Sequence, residues 1–211
     1  KNNYAVYGQA VNSFIEEEKD GSFLRIEHID SAIIVEKYDP ELKKAEPVTK
    51  LTLPLPKYGG YFTGANARYL VCGQDNPNDS DEKEVVRIIK YDNDWNELNH
   101  LSIYGSNTYE PFEAGSLQMT EMNGTLYIHA CHTMYATDKG VHHQANMSFA
   151  VNEETMELIT KNTTVSAGHG YVSHSFCQRI AQDGTDIYLL DHDDEYPRSI
   201  YLKQIDAKLN N

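Results

Sequence analysis

The sequence predicts an all-β protein that is β-propeller-like, with four recognisable blades. A tight-turn signal followed by an apolar strand occurs four times, in "KDGSFLRIEHI", "ANARYLVCGQD", "MNGTLYIHACH" and "QDGTDIYLLDH". A second signal, a β-rich stretch ending at a polar turn, alternates with the first in "VEKYDPEL", "IIKYDNDWNEL", "FAVNEETMEL" and "LKQIDAKL". Helical composition is limited to "SDEKEVVRII" and "NEETMELI", which fall where the repeat requires a strand or a turn.

Each repeat unit reads as four strands, a to d, joined by a tight a–b turn, a b–c connection and a tight c–d turn. The a–b turns lie at Gly21, Ala67, Gly124 and Gly184. The c–d turns lie at Asp39, Asp92, Asn152 and Asp206. We therefore predict a single domain over 1–211, with units at about 12–53, 60–104, 114–165 and 171–211.

The ends of the chain leave the closure of the propeller open. The fourth unit stops at "LNN" before a d strand, and "YAVYGQAV" precedes the first a strand. Either the first segment completes a small ring or the chain is part of a larger propeller, and we favour the larger propeller. A β-sandwich or jelly roll remains an alternative, because it also has short strands and frequent turns.

Composition excludes some functions. With 32 acidic and 18 basic residues, the net charge of −14 opposes binding to nucleic acid, which requires Lys and Arg. Apolar runs such as "SAIIV" are far shorter than the roughly 20 residues of a membrane span, so we expect a soluble chain. The start at "KNNYAVYG" suggests that an upstream signal or domain has been removed. Cys72, Cys131 and Cys177 are predicted to be buried free thiols.

The repeat brings polar residues to one face of the molecule, where the long b–c connections lie. Seven residues after each a–b turn stand His28, Gln74, Cys131 and Asp191, and eight residues after it stand Ile29, Asp75, His132 and His192. In the third repeat unit, the b–c connection is predicted to be "CHTMYATDKGVHHQAN". The predicted ligand-binding residues on this face are Gln74, Asn76, His132, Tyr135, His143, His174, Gln178, Asp191, His192, Asp194 and Arg198.

Histidine side chains on this face are candidates for general acid–base catalysis, because histidine titrates near neutral pH. The candidates are His132, His174 and His192, which we expect on one face with the b–c connections. A carboxylate such as Asp191 or Asp194 would be the partner, and Arg198 could clamp a substrate carboxylate. Strand alternation in "YVSHSFCQRI" sends Val172, His174, Phe176 and Gln178 to one side. The alternative is that these histidines have a structural role and form hydrogen bonds between loops.

A divalent metal ion is a weaker prediction. His129 and His132 are three residues apart, and such residues point to opposite faces of a strand, so they cannot chelate one ion by themselves. Partners would have to come from other units, and the weak metal candidates are Asp75, Asp79, His132 and His192. The acidic stretch "DNPNDSDEKE" lacks the residue order of an EF-hand loop.

Several segments resemble a group of uncharacterised secreted or cell-surface bacterial proteins with β-propeller-like repeats. These segments are "QDNPNDSDEKEVVRIIKYD", "AGSLQM", "YIHACHTMY", "HHQANMSF" and "SHSFCQRI" with "DHDDEYPRSI", within about residues 60–202. Where that group reads "DHGDAYPR", this chain has the more acidic Asp193 and Glu195. The resemblance implies the fold and a location outside the cell, and it implies no reaction.

The sequence thus predicts an extracellular or cell-surface binding module that recognises a carbohydrate, a peptide or a small polar ligand on its long-loop face. The alternative is an enzyme of hydrolase or lyase type that uses His and Asp at the same face. Further propeller blades or domains of the full-length protein are expected partners.

Overall fold

Strands make up the regular secondary structure of the computed structural model, which describes residues 10–113, 117–164, 175–193, 199–206 and 208–209. The side chains of residues 45–47, 175–176, 192–193 and 199 lie outside this description. The described ranges contain sixteen strands in four antiparallel sheets and no helix. The prediction of an all-β fold is therefore confirmed.

In each sheet the strands form a meander of consecutive neighbours, and sheet III has one additional short strand. Sheet I contains β1 (Ser13–Glu17), β2 (Phe23–Ile29), β3 (Ala32–Tyr38) and β4 (Lys44–Thr52). Sheet II contains β5 (Lys57–Thr63), β6 (Arg68–Gly73), β7 (Glu84–Tyr91) and β8 (Glu97–Tyr104). Sheet III contains β9 (Thr108–Pro111), β10 (Gln118–Met122), β11 (Thr125–Ala136), β12 (His142–Asn152) and β13 (Leu158–Asn162), and its short strand β9 pairs with β11. Sheet IV contains β14 (Ser175–Gln182), β15 (Ile187–Asp193) and β16 (Ser199–Ile205).

The predicted a–b turns fall between the strands that they were expected to join. Gly21, Gly124 and Gly184 have φ angles of 79°, 76° and 90°, which glycine adopts without steric cost, and they lie between β1 and β2, between β10 and β11, and between β14 and β15. The stretch with helical composition, "SDEKEVVRII", ends in strand β7. In this strand Val86 and Ile88 are buried against sheet III and Ile89 is buried against sheet I, while Arg87 is half-buried. Burial on both faces therefore overrides the helical composition of this segment.

The sheets stack in series through apolar faces. One hydrophobic cluster joins sheets I and II and includes Ile26 and Ile89. A second joins sheets II and III, with Val86 and Phe149, and a third joins sheets III and IV around Ile187. Strand β10 also contacts β5 of sheet II and β14 of sheet IV. Within the described ranges no hydrophobic cluster joins sheet I to sheet IV, so the arrangement of these sheets as propeller blades stays a prediction.

The histidine-rich stretch of sheet III differs from its prediction as a long polar connection. Strand β11 continues to Ala136 and β12 begins at His142, which leaves a hairpin connection of residues 137–141. The reason is burial, since Cys131 on β11 and Ala145 and Met147 on β12 are fully buried. In sheet II, by contrast, residues 74–83 do form a long connection between β6 and β7.

Phe112 fastens the start of sheet III to sheet II. Its backbone φ is 66°, and its amide donates to the Cys131 carbonyl at 2.9 Å. A Cβ atom at Gly59 would lie 2.8 Å from the Phe112 ring, and one at Gly73 would lie 2.7 Å from the Val85 carbonyl oxygen and 2.8 Å from the same ring. Only glycine lets the ring approach both strands this closely.

The overlap at Gly59 gives a test of this packing. Gly59→Ala should lower the free energy of unfolding by about 1–3 kcal/mol, because the new methyl group meets the Phe112 ring. Phe112→Ala removes the obstacle, so the double variant should lose less stability than the sum of the two single variants. Urea denaturation of all four proteins measures this coupling. Gly73→Ala is the control, since the Val85 backbone also blocks it and Phe112→Ala relieves it only in part. Additive losses for Gly59 and Phe112 would contradict the proposed contact.

Candidate functional site

A groove opens at the end of the sheets where β2 and β6 finish and β5 begins. We call it the front groove; its volume is about 540 Å³, and it is lined by Ala10, Asn12, His28, Lys57, Tyr58, Pro111 and Phe112. Its lining residues come from sheets I, II and III, so its shape depends on how the sheets stack. It lies on the face where the sequence places the b–c connections.

Two aromatic rings form one part of the front groove. The rings of His28 and Tyr58 stack with centroids 4.3 Å apart and an interplanar angle of 12°. The Tyr58 hydroxyl donates to the Val11 carbonyl at 3.0 Å, which fixes the orientation of the ring. Burial lowers the pKa of His28, so the imidazole is neutral at physiological pH. Among the described atoms, His28 Nε2 has no hydrogen-bond partner although it is buried.

A lysine between two carboxylates forms the charged part of the front groove. Lys57 Nζ lies 2.5 Å from Asp75 Oδ1 and also pairs with Glu110. Burial acts to lower the pKa of Lys57, but the hydrogen bonds to Asp75 and Glu110 outweigh it and raise the pKa overall. The Asp75 side chain is 54% exposed, so its carboxylate can reach a ligand while it stays close to the lysine.

Asn76, a predicted ligand-binding residue, holds the connection 74–83 in place. It is 1% exposed. Its side-chain amide donates to the Ser80 carbonyl at 2.9 Å and to the Thr108 carbonyl at 3.2 Å. Its carbonyl oxygen accepts from the Ser80 amide at 3.0 Å. These hydrogen bonds of Asn76 therefore attach the connection 74–83 to strand β9 and fix its position beside the front groove.

Three further predicted residues also make contacts within this connection or with the end of β11. Gln74 donates to the first carbonyl of β7 at 2.9 Å. Asp79, a metal candidate, accepts at 3.0 Å from the last amide of β11 through Oδ2, while its buried Oδ1 has no partner among the described atoms. Tyr135 donates to the Asp81 carboxylate at 3.2 Å, and both this charge and burial raise the pKa of Tyr135 to about 12.

His132, predicted as a ligand-binding, catalytic and metal candidate, is fully buried within sheet III. Its exposed fraction is 0%, and its Nδ1 lies 2.8 Å from the Thr108 hydroxyl. Burial lowers the pKa of His132 to about 4, so the imidazole is neutral. The structure thus places His132 away from any open surface. His143, on β12, is half-buried.

Asp191 takes part in a buried polar chain between sheets III and IV. Its Oδ1 lies 2.8 Å from His129 Nε2, and His129 Nδ1 lies 2.9 Å from the Ser148 hydroxyl. The three residues are between 1% and 5% exposed. Gln178, another predicted residue, is fully buried and donates to the Asn146 side chain at 3.1 Å. The contacts from Ser148 through His129 to Asp191 join three strands, β12, β11 and β15, from two sheets.

A small cavity of about 30 Å³ adjoins this chain. It is lined by His129, Asn146, Ser148, Asn162, Thr164, Leu189, Asp191, Tyr201 and Lys203. Burial lowers the pKa of Lys203, although the nearby Asp191 charge opposes that shift. Sequence analysis paired a histidine with Asp191 but missed His129 as the partner. The available signal was strand alternation, which turns His129 to the face opposite His132 and hence toward sheet IV.

Several predicted residues lie outside the described part of the chain. His174, Asp194 and Arg198 are among them, and so is the side chain of His192. The His192 backbone pairs with Phe176 and Ile200. The expected common face of His132, His174 and His192 therefore stays a prediction.

The assumption of simple alternation in β14 was wrong. The pairing of β14 with β15 is irregular between Phe176 and Arg179, and Cys177 has a φ of 55°. Such an irregularity inserts a residue and shifts the faces of the strand beyond it. The alternation of side chains on β14 therefore does not continue unchanged through Cys177.

The described residues contain no group of three or more His, Cys, Asp or Glu side chains arranged to hold a metal ion. Cys72 and Cys131 are buried free thiols as predicted, whereas Cys177 is only half-buried. No helix long and apolar enough to cross a membrane occurs in the ranges that the structure describes.

The sequence matches no protein-family model and no curated protein. Solved structures with a similar fold include a chimera of apocarotenoid oxygenase (ACO) and RPE65, with a TM-score of 0.52 and 12% identity. A mutant of the Synechocystis apocarotenoid oxygenase has a TM-score of 0.50 and 12% identity. In both cases the match covers 92% of this chain and 49% of the other chain. The Bacteroides ovatus protein GH43B of a xyloglucan PUL has a TM-score of 0.47 and 9% identity, over 97% of this chain and 40% of that one.

These likenesses concern the fold alone, because the identities are low. The chain spans about half the length of the apocarotenoid oxygenase structures that it resembles. It is therefore similar to a portion of a larger β protein.

Proposed function

We propose that this chain is an extracellular or cell-surface binding module whose front groove takes a carbohydrate. The observation that carries the proposal is the presence, in one groove, of the stacked His28 and Tyr58 rings and of Lys57 held between Asp75 and Glu110. We propose in addition that the four sheets are successive blades of a larger propeller, on whose face the front groove lies.

The composition of the front groove suits a sugar better than an apolar ligand. Small-molecule sites are concave, span about 300–1,000 Å³ and combine apolar or aromatic walls with a few placed polar groups. A sugar ring has apolar C–H faces, which can pack against Tyr58 or Phe112, and hydroxyl groups at its edge. Carboxylates accept from such hydroxyls and a lysine donates to them, and hydrogen bonds to charged groups are stronger than neutral ones.

Charge and rigidity add further support. The net charge of −14 and the two carboxylates beside Lys57 disfavour a phosphorylated or otherwise anionic ligand. The contacts of Asn76 hold the neighbouring connection in one conformation, so little ordering is required on binding. A neutral oligosaccharide is therefore the ligand class that we favour over a peptide.

Calorimetric titration with neutral cello-, xylo- and manno-oligosaccharides tests the proposal. For the tightest of these ligands, Lys57→Ala should weaken binding by about ten- to a hundredfold, because a charged hydrogen bond contributes roughly 1.5–3 kcal/mol. Lys37→Ala is the matched control, since Lys37 also forms an ion pair, with Asp20 at 3.1 Å, but lies outside the groove. Equal affinities of the wild type and Lys57→Ala would refute the groove as the site. Binding of peptides but of none of these sugars would refute the ligand class.

A second candidate function, hydrolysis of a small ester, is favoured by the contacts among Ser148, His129 and Asp191. A neutral imidazole that donates from Nε2 to Asp191 can accept from the Ser148 hydroxyl at Nδ1. The Ser148 oxygen would attack the ester carbonyl while His129 takes the hydroxyl proton and then passes it to the departing alcohol. Water would release the acid by the same route in reverse. The adjoining cavity of about 30 Å³ restricts the acyl group to a very small one.

p-Nitrophenyl acetate tests this second candidate. If it is correct, the wild type releases nitrophenolate faster than buffer, an acetyl group is found on Ser148 by mass spectrometry, and Ser148→Ala abolishes both. Ser106→Ala is the control, since Ser106 hydrogen-bonds only at a surface turn and to a lysine. Turnover that persists in Ser148→Ala would exclude the hydrolase and leave the binding module untouched.

A further inference from the structure

The two end sheets of the stack each have one face that the described part of the chain does not cover. Among the described residues, sheets II and III are packed on both faces, whereas sheet I packs on sheet II alone and sheet IV on sheet III alone. The uncovered faces carry some of the most exposed large apolar side chains of the protein, with Ile15 at 77%, Ile200 at 69% and Leu202 at 63%. Large apolar surfaces of this kind commonly mark interaction sites.

The outer face of sheet I combines apolar residues with a carboxylate-rich network. Leu24 and Ile26 point toward sheet II, so alternation turns Ile15 and Arg25 outward. Arg25 pairs with Glu36 at 2.9 Å and also with Glu27. Lys44 also pairs with Glu36, at 2.6 Å, so this face offers an exposed isoleucine beside carboxylates that Arg25 and Lys44 neutralise.

The outer face of sheet IV is apolar with a basic residue. Leu189 belongs to the cluster shared with sheet III, so Leu190 and its register partner Leu202 lie on the other side, together with Ile200. Arg179 is the register partner of Leu190 on β14. Three apolar residues and an arginine thus occupy this face, and its exposed apolar side chains match the exposed Ile15 of sheet I in hydrophobic character.

We propose that a second copy of this chain covers both faces, with sheet IV of each copy packed on sheet I of the other. The two contacts would be equivalent, and they would continue the order I, II, III, IV around a closed ring of eight sheets. Eight is within the usual range for propellers. The solved structures with similar folds are about twice as long as this chain, so two copies supply a body of that size.

The buried area is sufficient for a stable dimer. A sheet of three or four strands, each about six residues long, presents a face of roughly 300–400 Å², given strand spacings near 4.8 Å and a rise near 3.3 Å per residue. The ring has two contacts and each contact buries two faces, so the total is on the order of 1,200–1,600 Å². Stable protein interfaces have this size. The inference concerns assembly and does not depend on the ligand of the front groove.

Sedimentation velocity of the whole chain between 1 and 100 µM tests the dimer. We expect a species of twice the 24.0 kDa chain mass. Leu202→Lys on sheet IV and Ile15→Glu on sheet I should each shift the dissociation constant at least tenfold toward monomer. Ile159→Lys is the matched control, since Ile159 is 47% exposed on β13 of sheet III, away from both faces. Circular dichroism confirms that each variant is folded.

Mixing the two interface variants makes the test specific to the proposed pairing. In a mixed dimer one contact is entirely wild type, and the other places the new lysine opposite the new glutamate. The mixture should therefore dimerise more tightly than either variant alone. A wild-type chain that stays monomeric up to 100 µM overturns the proposal, and so does a dimer that either variant leaves intact or a mixture no tighter than its components.

Discussion

Face-to-face packing of apolar sheet surfaces is the interaction on which the other features of this molecule depend. Sheets II and III are covered on both sides, and strand β6 is consequently buried at every residue. Such strands have no free face for polar side chains. Polar chemistry is therefore confined to the strand ends and to the few places where a sheet interface admits a buried polar network. The front groove is an example of the first and the chain from Ser148 to Asp191 is an example of the second.

The strands and turns were predictable because their signals are local. Glycine with positive φ, or a short polar turn, separates stretches that alternate or are apolar throughout, as at Gly124 and Asp92. The stretch around His132 was wrongly predicted to be a connection, because a histidine-rich sequence is typical of polar loops. Nδ1 of the buried His132 side chain is satisfied by the Thr108 hydroxyl, a partner 24 residues away in the sequence. No local pattern reports such a partner.

The candidate sites were predictable only in part, for a related reason. Counting from the turns selected His28 and Asp75, which lie at and beside the front groove, and Asp191, which lies in the buried chain. It did not select Lys57 or Tyr58, since they stand at the start of a strand and belong to no motif. Strand ends from different sheets form the groove, so its members are set by the packing between sheets rather than by spacing within one repeat.

The serial order of the sheets has a consequence for how the protein loses its structure. Because the hydrophobic clusters of the described residues join only sheets that are neighbours in the chain, stability is close to a sum of sheet and interface contributions along one dimension. In a single copy the terminal sheets then open first at the lowest cost, and the doubly covered sheets II and III form the most persistent unit. Amide hydrogen exchange would show this as a gradient, with slow exchange in β6 and β11 and faster exchange toward β1 and β16.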